Sequence, residues 1–336
     1  MKKLASLFVS LAIVLASFIL GFAWGPEGHE TVGTIAALYI KPQTKQRLAR
    51  ILKAGETLAG VSNWADSVKE RVGQHDADAD TDAFLQDQLH NEKNREWHYD
   101  DLPLGCASYN TCTGFTPDND VVHLINICVR TLQGHPDPKQ PLSRRNALRL
   151  LVHFLGDMHQ PLHIGAGYIN VNGPNHTIEI VTDPVTISRQ NLPKDQGGNL
   201  LILDKDRKNL HGFWDFDLVR ALMADNNKAT SEALGQYLKT AINPKADWNA
   251  QGPIETWAAQ WATDSLRVSR DHAYKSVKVT GQRTVTFRRN GQEQSQTVYD
   301  VTRASDYEEV NKPVVGEQLT KAGYRLAMLL DAIFAN

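Results

Sequence analysis

Leu151-Val152-His153-Phe154-Leu155-Gly156-Asp157-Met158-His159-Gln160-Pro161-Leu162-His163 is the stretch on which the reading of this chain turns. It closes a helix that the pattern predicts over Ser143 to Met158, with Ser143 as a good N-cap. His153 and Asp157 are four residues apart, so on a helix they share one face and can hold the same ion. His159 is about 240° round from His153 on ideal geometry and points elsewhere. Pro161 ends the helix, and His163 follows from the loop just past it. A His and an Asp at this offset are also a common surface pair. The run acquires chemical meaning only if other segments match it.

They do. Asn209-Leu210-His211-Gly212-Phe213-Trp214-Asp215 repeats the offset, with His211 and Asp215 on one face of a second helix. His163, His211 and Asp215 make a three-ligand set with room for water, the pattern of a catalytic rather than a structural zinc. Upstream, Asn63-Trp64-Ala65-Asp66 places an aspartate on a helix, and Trp97-His98-Tyr99-Asp100-Asp101 places a histidine in a loop.

Outward from these runs the pattern is mainly α. Apolar residues recur at helical spacing over Glu27 to Ile40, Val61 to Val72, Val121 to Leu132, Leu210 to Met223, Ser231 to Ala241 and Ile254 to Tyr274. A last helix is predicted from about Pro313 to Phe334, with Pro313 in its first turn. Two stretches break the pattern. Gly165 to Leu203 is polar and rich in Gly, Pro and Asn, with strand-like patches at Thr177 to Val181 and Leu200 to Leu203. Val277 to Val301 alternates around Asn290-Gly291, a strong hairpin signal. With no internal repeat and no low-complexity tract, the expectation is a single helical domain over 24–336, with 165–203 and 277–301 as surface β-hairpin excursions.

Composition limits the partners. The 336 residues include 36 Lys plus Arg against 38 Asp plus Glu, a net charge of -2. A duplex binder working through phosphate electrostatics is usually strongly basic. Any phosphate handled here must therefore meet local cations, which bound metal would supply. Met1-Lys2-Lys3, the apolar run Leu4 to Leu20 and the small-residue exit Gly21-Phe22-Ala23 together predict a secretory signal peptide over 1–23. The mature chain is then expected to begin at Trp24, secreted or periplasmic. Cys106 and Cys112 would close a short disulfide loop, with Cys128 a buried free thiol, although spacing alone leaves the connectivity open. Asn175-His176-Thr177 fits a glycosylation acceptor, but the short Lys-rich leader looks bacterial and no glycan is expected.

Over nearly the whole mature span, from Trp24-Gly25-Pro26-Glu27-Gly28-His29 to Asn311-Lys312-Pro313-Val314-Val315, the chain resembles the zinc-dependent single-strand-specific nucleases of the S1/P1 type, relatives of bacterial zinc phospholipase C. The most specific piece is His153 to His163. The resemblance implies three Zn2+ ions. Asp66, His98, His153 and Asp157 would bind one, and His163, His211 and Asp215 a second. Asp157 would bridge to a third, held also by His29 and by the amine and carbonyl of Trp24. The cleavage expected before Trp24 frees that amine, whose pKa of about 7.7–8.0 lets it bind metal near neutral pH.

The activity implied is endonucleolytic hydrolysis of single-stranded DNA and RNA to 5′-phosphate products, with 3′-nucleotidase activity. Zinc lowers the pKa of bound water to about 7 and so supplies the attacking group. Asp66 would orient it, Asp157 would bridge the ions, and Lys69 would neutralise charge on the phosphoryl group. Tyr99 would stack on a base and Asp101 would accept from the base edge. No obligate protein partner and no membrane anchor after processing are implied. The long segment between His163 and His211, Phe216 after Asp215, and the 277–301 hairpin depart from the family pattern. A zinc phospholipase C is the alternative enzyme, disfavoured by Asp215 and by the complete His159-to-His163 run. A non-catalytic exported zinc-binding protein is the alternative outside catalysis.

Overall fold

The Ser143 hydroxyl accepts from the Asn146 N–H at 3.1 Å and so starts the helix Arg144–His159. Every residue of that helix after Arg144 is buried, as a helix enclosed on all sides requires. In this computed structural model, which describes residues 24–335 apart from 70, 88–89, 91–92, 175–176, 204–207 and 290–291, it is the central rod of a mainly α fold. Helices Val121–Leu132, Trp257–Val268, Pro26–Tyr39 and Tyr307–Ile333 pack against it. One apolar cluster runs from Trp24 to Phe334 and includes Leu150, Leu151, Phe154 and Leu155 of the rod. The predicted leader over 1–23, the Asn175-His176 part of the acceptor sequence and the Asn290-Gly291 turn lie outside the described residues. No described helix is long and apolar enough to cross a membrane.

Several boundaries differ from the periodicity for physical reasons. The stretch Val61 to Val72 is two short helices, Leu58–Val61 and Trp64–Lys69, and the break at Ser62 leaves its carbonyl free to face His153. The last helix begins at Tyr307, so Pro313 lies inside it rather than in its first turn. Proline there leaves the Glu309 carbonyl without its usual donor, a local cost that the buried face from Val315 to Ile333 outweighs. Leu210 to Met223 contains a π-helical turn at Phe213–Asp217, and Ile254 to Tyr274 ends in another at Ser269–Ala273. Such turns are often found at functional sites.

The β structure is small but connects what the sequence separates. β1 (Leu102–Pro103) pairs in parallel with β2 (Gly165–Ala166), and β3 (Tyr168–Asn170) pairs antiparallel with β4 (Glu179–Val181). β5 (Leu201–Leu203), β6 (Lys208–Asn209), β7 (Lys278–Arg289) and β8 (Gln292–Thr302) form one sheet in the order β6-β5-β8-β7. Leu201 to Leu203 lie parallel to Tyr299 to Val301, so the two excursions share a sheet rather than standing as separate hairpins. Cys106 and Cys112 are disulfide-bonded with Cα atoms 5.5 Å apart, and Cys128 is buried and free.

A buried cationic pair anchors the Asp66 region to the rod. Arg145 donates to Glu56, to Asp78 at 2.6 Å and to Asp80 at 3.2 Å, while Arg149 donates to Thr81 and stacks over the Trp64 ring at 5.0 Å. Against the burial that raises it, hydrogen bonds from Arg145 hold the Glu56 carboxyl at about 2. Arg145→Met should lower stability by about 2–3 kcal/mol. That is less than for a fully buried pair, because Glu56 and Asp78 keep 22% and 20% of their side-chain surface in water. Urea unfolding checks this, and an unchanged midpoint would contradict it.

Candidate metal centre

Five imidazoles and three carboxylates from five segments converge beside the C-terminal half of the rod. His29 comes from helix Pro26–Tyr39, Asp66 from helix Trp64–Lys69 and His98 from the 3-10 turn Glu96–His98. His153, Asp157 and His163 come from the rod and the turn after it, and His211 and Asp215 from the turn entering the π segment. All eight are buried. Three groups, His29–Asp66–His153, His98–His153–Asp157 and His163–His211–Asp215, each bring their ligand atoms within 4.8 Å of one another. Asp157 Oδ2 is 2.9 Å from His98 Nδ1 and 3.2 Å from His153 Nε2, and its Oδ1 is 3.4 Å from His29 Nε2.

The outer hydrogen bonds fix which ring nitrogens carry lone pairs. His153 Nδ1 donates to the Ser62 carbonyl at 2.7 Å, His163 Nδ1 to the His98 carbonyl at 2.7 Å, and His211 Nδ1 to the Gly197 carbonyl at 2.8 Å. In the neutral form of each ring, Nε2 is then the lone-pair nitrogen. His163 Nε2 and His211 Nε2 nevertheless face each other at 3.1 Å, and His153 Nε2 faces Asp66 Oδ1 at 3.4 Å. Lone pairs and carboxylates oppose one another there unless a cation lies between them. Both His29 ring nitrogens, Asp157 Oδ1 and Asp215 Oδ2 are buried with no hydrogen-bond partner among the described residues. Orphaned acceptors at this density are costly without an ion. The donor set of imidazole nitrogens and carboxylate oxygens fits zinc.

Charge shifts follow the same geometry. Burial lowers His98 and His163 to about 4 and His211 to about 3, and it also lowers His29. Those rings are neutral and ready to ligate at neutral pH. His153 behaves oppositely: burial lowers it, but Asp157 and Asp66 outweigh that and raise it to about 10. A proton there does what a metal ion would do.

Close packing explains several glycines. A Cβ at Gly156 would lie 2.6 Å from His29 Nδ1, so only glycine lets that ring lie against the rod, stacked on His153 with centroids 3.9 Å apart. Trp24 is wholly buried, and the N–H of Gly25 donates to the Asp215 carbonyl at 3.0 Å. That brings the backbone at the expected mature N-terminus beside the His163–His211–Asp215 group.

Three supporting residues are ones that spacing alone does not pick out. Gln160, inside the decisive run, donates to Asp215 Oδ1 at 2.7 Å and accepts from the Leu162 N–H, bracing both sides of the turn. Asp195 accepts from the N–H groups of Gly167 and Gly198 at 3.1 Å and from the Tyr274 hydroxyl at 2.9 Å. This fixes the loop that carries Gly197, whose carbonyl orients His211. The glycine pair in Asp195-Gln196-Gly197-Gly198 is the available signal. Gly197 has φ +58, and a Cβ there would lie 2.2 Å from the Leu162 carbonyl oxygen. Gly197→Ala should therefore weaken metal binding at the His163–His211–Asp215 group by about ten- to a hundredfold. A competitive chelator titration reads this, and wild-type affinity would contradict it.

The other residues named from the sequence fall at the rim of the centre or away from it. Lys69, buried rather than solvated, has its Nζ 2.6 Å from Asp66 Oδ1. Tyr99 is partly buried, and Asp101 Oδ2 lies 2.5 Å from Lys194 Nζ. His159 faces the other side of the rod, with Nδ1 donating to Leu155 and Nε2 accepting from Arg325 at 3.1 Å. His75 and His123 pair with Asp82 and Asp120, and His90 stacks on Phe84.

Comparison with known proteins shows the family. The S1/P1 Nuclease family model matches residues 24–335. The chain is similar to Nuclease S1 of Aspergillus oryzae (strain ATCC 42149 / RIB 40), 25% identical over 342 residues, covering 96% of this chain and 96% of that protein. It is similar to Endonuclease 4 of Arabidopsis thaliana, 24% identical over 354 residues, covering 96% and 94%. It is 28% identical to Nuclease P1 of Penicillium citrinum over 260 residues, 72% of this chain and 78% of that one.

Proposed function

Because the chain belongs to the S1/P1 nuclease family, a hydrolase acting on phosphodiester bonds, we propose that it is a secreted or periplasmic three-zinc endonuclease. Its substrates are single-stranded DNA and RNA, cut to 5′-phosphate products, and it removes phosphate from 3′-nucleotides. The observation that carries this reading is the opposition of lone-pair nitrogens at His163–His211 and of a lone-pair nitrogen and a carboxylate at His153–Asp66, an arrangement that calls for cations.

Asp66, His98, His153 and Asp157 hold one ion, and His163, His211 and Asp215 a second. His29, Asp157 and the terminal amine and carbonyl of Trp24 hold the third. When bound, the ions lower the pKa of water and neutralise phosphate oxygens. The side chains do the rest. Asp66 accepts a hydrogen bond from the attacking water and orients it. Lys69, beside Asp66, offers positive charge to the phosphoryl oxygens. Tyr99 gives a stacking face next to His98, indifferent to sequence and closed to bases inside a duplex. The family match that begins at residue 24 supports processing before Trp24.

The test is a substrate panel on the mature zinc-loaded protein: single-stranded DNA, RNA, duplex DNA, 3′-nucleotides and phosphatidylcholine. Single strands and 3′-nucleotides should be hydrolysed, with 5′-phosphate ends by mass spectrometry and duplex cut more slowly. Hydrolysis of phosphatidylcholine alone would replace this reading with a phospholipase, and hydrolysis of nothing with a binding protein.

A further inference from the structure

The first two residues of the expected mature chain lie against the turn that holds Asp215. Gly25 N–H donates to the Asp215 carbonyl at 3.0 Å, and the Phe216 ring covers Gly25 so closely that a Cβ there would lie 2.4 Å from its Cδ1 and Cε1. Phe216 belongs to the π-helical turn Phe213–Asp217. One short turn therefore gives the metal centre a carboxylate from Asp215 and lays the next side chain on the N-terminal strap. The Arg220 guanidinium lies over the same ring, 5.4 Å from its centre, and donates to Glu27 Oε1 at 3.0 and 3.2 Å. This ties the ring to the first turn of helix Pro26–Tyr39, which carries His29. The ion pair keeps 59% and 29% of its side-chain surface in water and adds little by itself. The half-buried ring is the stronger hold.

We infer that Phe216 is a positioning residue for the metal centre, clasping the Trp24–Gly25 strap so that the terminal amine and carbonyl of Trp24 stay on the ion shared with His29 and Asp157. The inference rests on the three-ion reading above. A chain end frays unless it is tied down. A terminal ligand also has no chain on its outer side, so its hold must come from its own side chain and from the next residue inward. The Trp24 side chain is wholly buried, with its Cβ against Gly28. That contact anchors the indole, but rotation of the Trp24 backbone would still swing the amine away unless Gly25 is pinned as well. The Asp215 carbonyl and the Phe216 ring pin it from the same turn. Phe216 thus does for the terminal amine what the Ser62, His98 and Gly197 carbonyls do for His153, His163 and His211.

The test titrates the mature zinc-loaded protein, its Trp24 terminus confirmed by mass spectrometry, with a competitive chelator and counts the zinc retained. Phe216→Ala should weaken one of the three ions by about ten- to a hundredfold and leave the other two at wild-type affinity. Phe216→Tyr, which keeps the ring, should hold all three. Gly25→Ala, whose methyl group would drive the ring off the strap, should reproduce the loss of the same ion. Hydrogen exchange at the Gly25 amide should be at least about tenfold faster in Phe216→Ala than in the wild type. A merely structural role for the ring predicts instead a lowered unfolding temperature with all three ions weakened together. That result, wild-type affinity for every ion in Phe216→Ala, or an unchanged Gly25 exchange rate overturns the clasp alone. A wild-type mature protein that holds no third ion, or whose zinc count survives an added residue ahead of Trp24, overturns it together with the three-ion reading beneath it.

Discussion

Asp157→Asn should reduce kcat on single-stranded DNA by about a thousandfold or more, a loss on the order of 4 kcal/mol of transition-state stabilisation. Asp157 is the carboxylate with the widest reach in the centre. Its Oδ2 meets His98 and His153, its Oδ1 meets His29 at 3.4 Å and lies 4.0 Å from His163 Nδ1. An amide keeps the shape but loses the charge and turns an N–H donor toward atoms that must face a cation. The metal content of the variant should fall as well, because the ions proposed for His29 and for His98 both share this side chain. Unfolding temperature and metal analysis separate this from misfolding. A folded variant with full metal content and near-normal kcat would remove Asp157 from the reaction.

The second large effect concerns the N-terminus. A form carrying extra residues ahead of Trp24 should lose one bound ion and at least about a hundredfold in activity. Trp24 is wholly buried, a Cβ at Gly28 would lie 2.6 Å from its Cβ, and Gly25 N–H is fastened to the Asp215 carbonyl. An amine with a pKa of about 7.7–8.0 can lose its proton and donate a lone pair to metal, whereas an amide nitrogen cannot. His29, with neither ring nitrogen hydrogen-bonded among the described residues, would then share its ion with Asp157 alone. Elemental analysis of the extended and processed forms, with activity on the same strand, gives the answer. An extended form with a full complement and normal turnover would rule out the terminal-amine ligand.

Much of this centre is legible in the sequence because helical geometry is local. The four-residue offsets His153–Asp157 and His211–Asp215 put each pair on one face whatever the tertiary fold, and Pro161 marks where His163 must leave the helix. What is not legible is non-local. Gln160, Ser62 and Gly197 act through an amide or a backbone carbonyl aimed at a side chain from a distant segment, and no periodicity records that aim. The β5–β8 pairing joins residues about a hundred positions apart in sequence through three residues of contact, too short a strand to stand out from a loop. Proline's preference for a first turn puts the start of the last helix at Pro313, while apolar burial carries the helix about one and a half turns further back to Tyr307. The partnership of Lys194 with Asp101 is invisible because a lysine in a polar loop carries no sign of its neighbour.

Diffraction from crystals of the mature protein at wavelengths on either side of the zinc edge tests the central claim most directly. Anomalous peaks are expected at three positions: among Asp66, His98, His153 and Asp157; among His163, His211 and Asp215; and between His29, Asp157 and the Trp24 terminus. Well-ordered crystals grown with zinc in excess, showing these side chains as placed here but no peak among them, would contradict it.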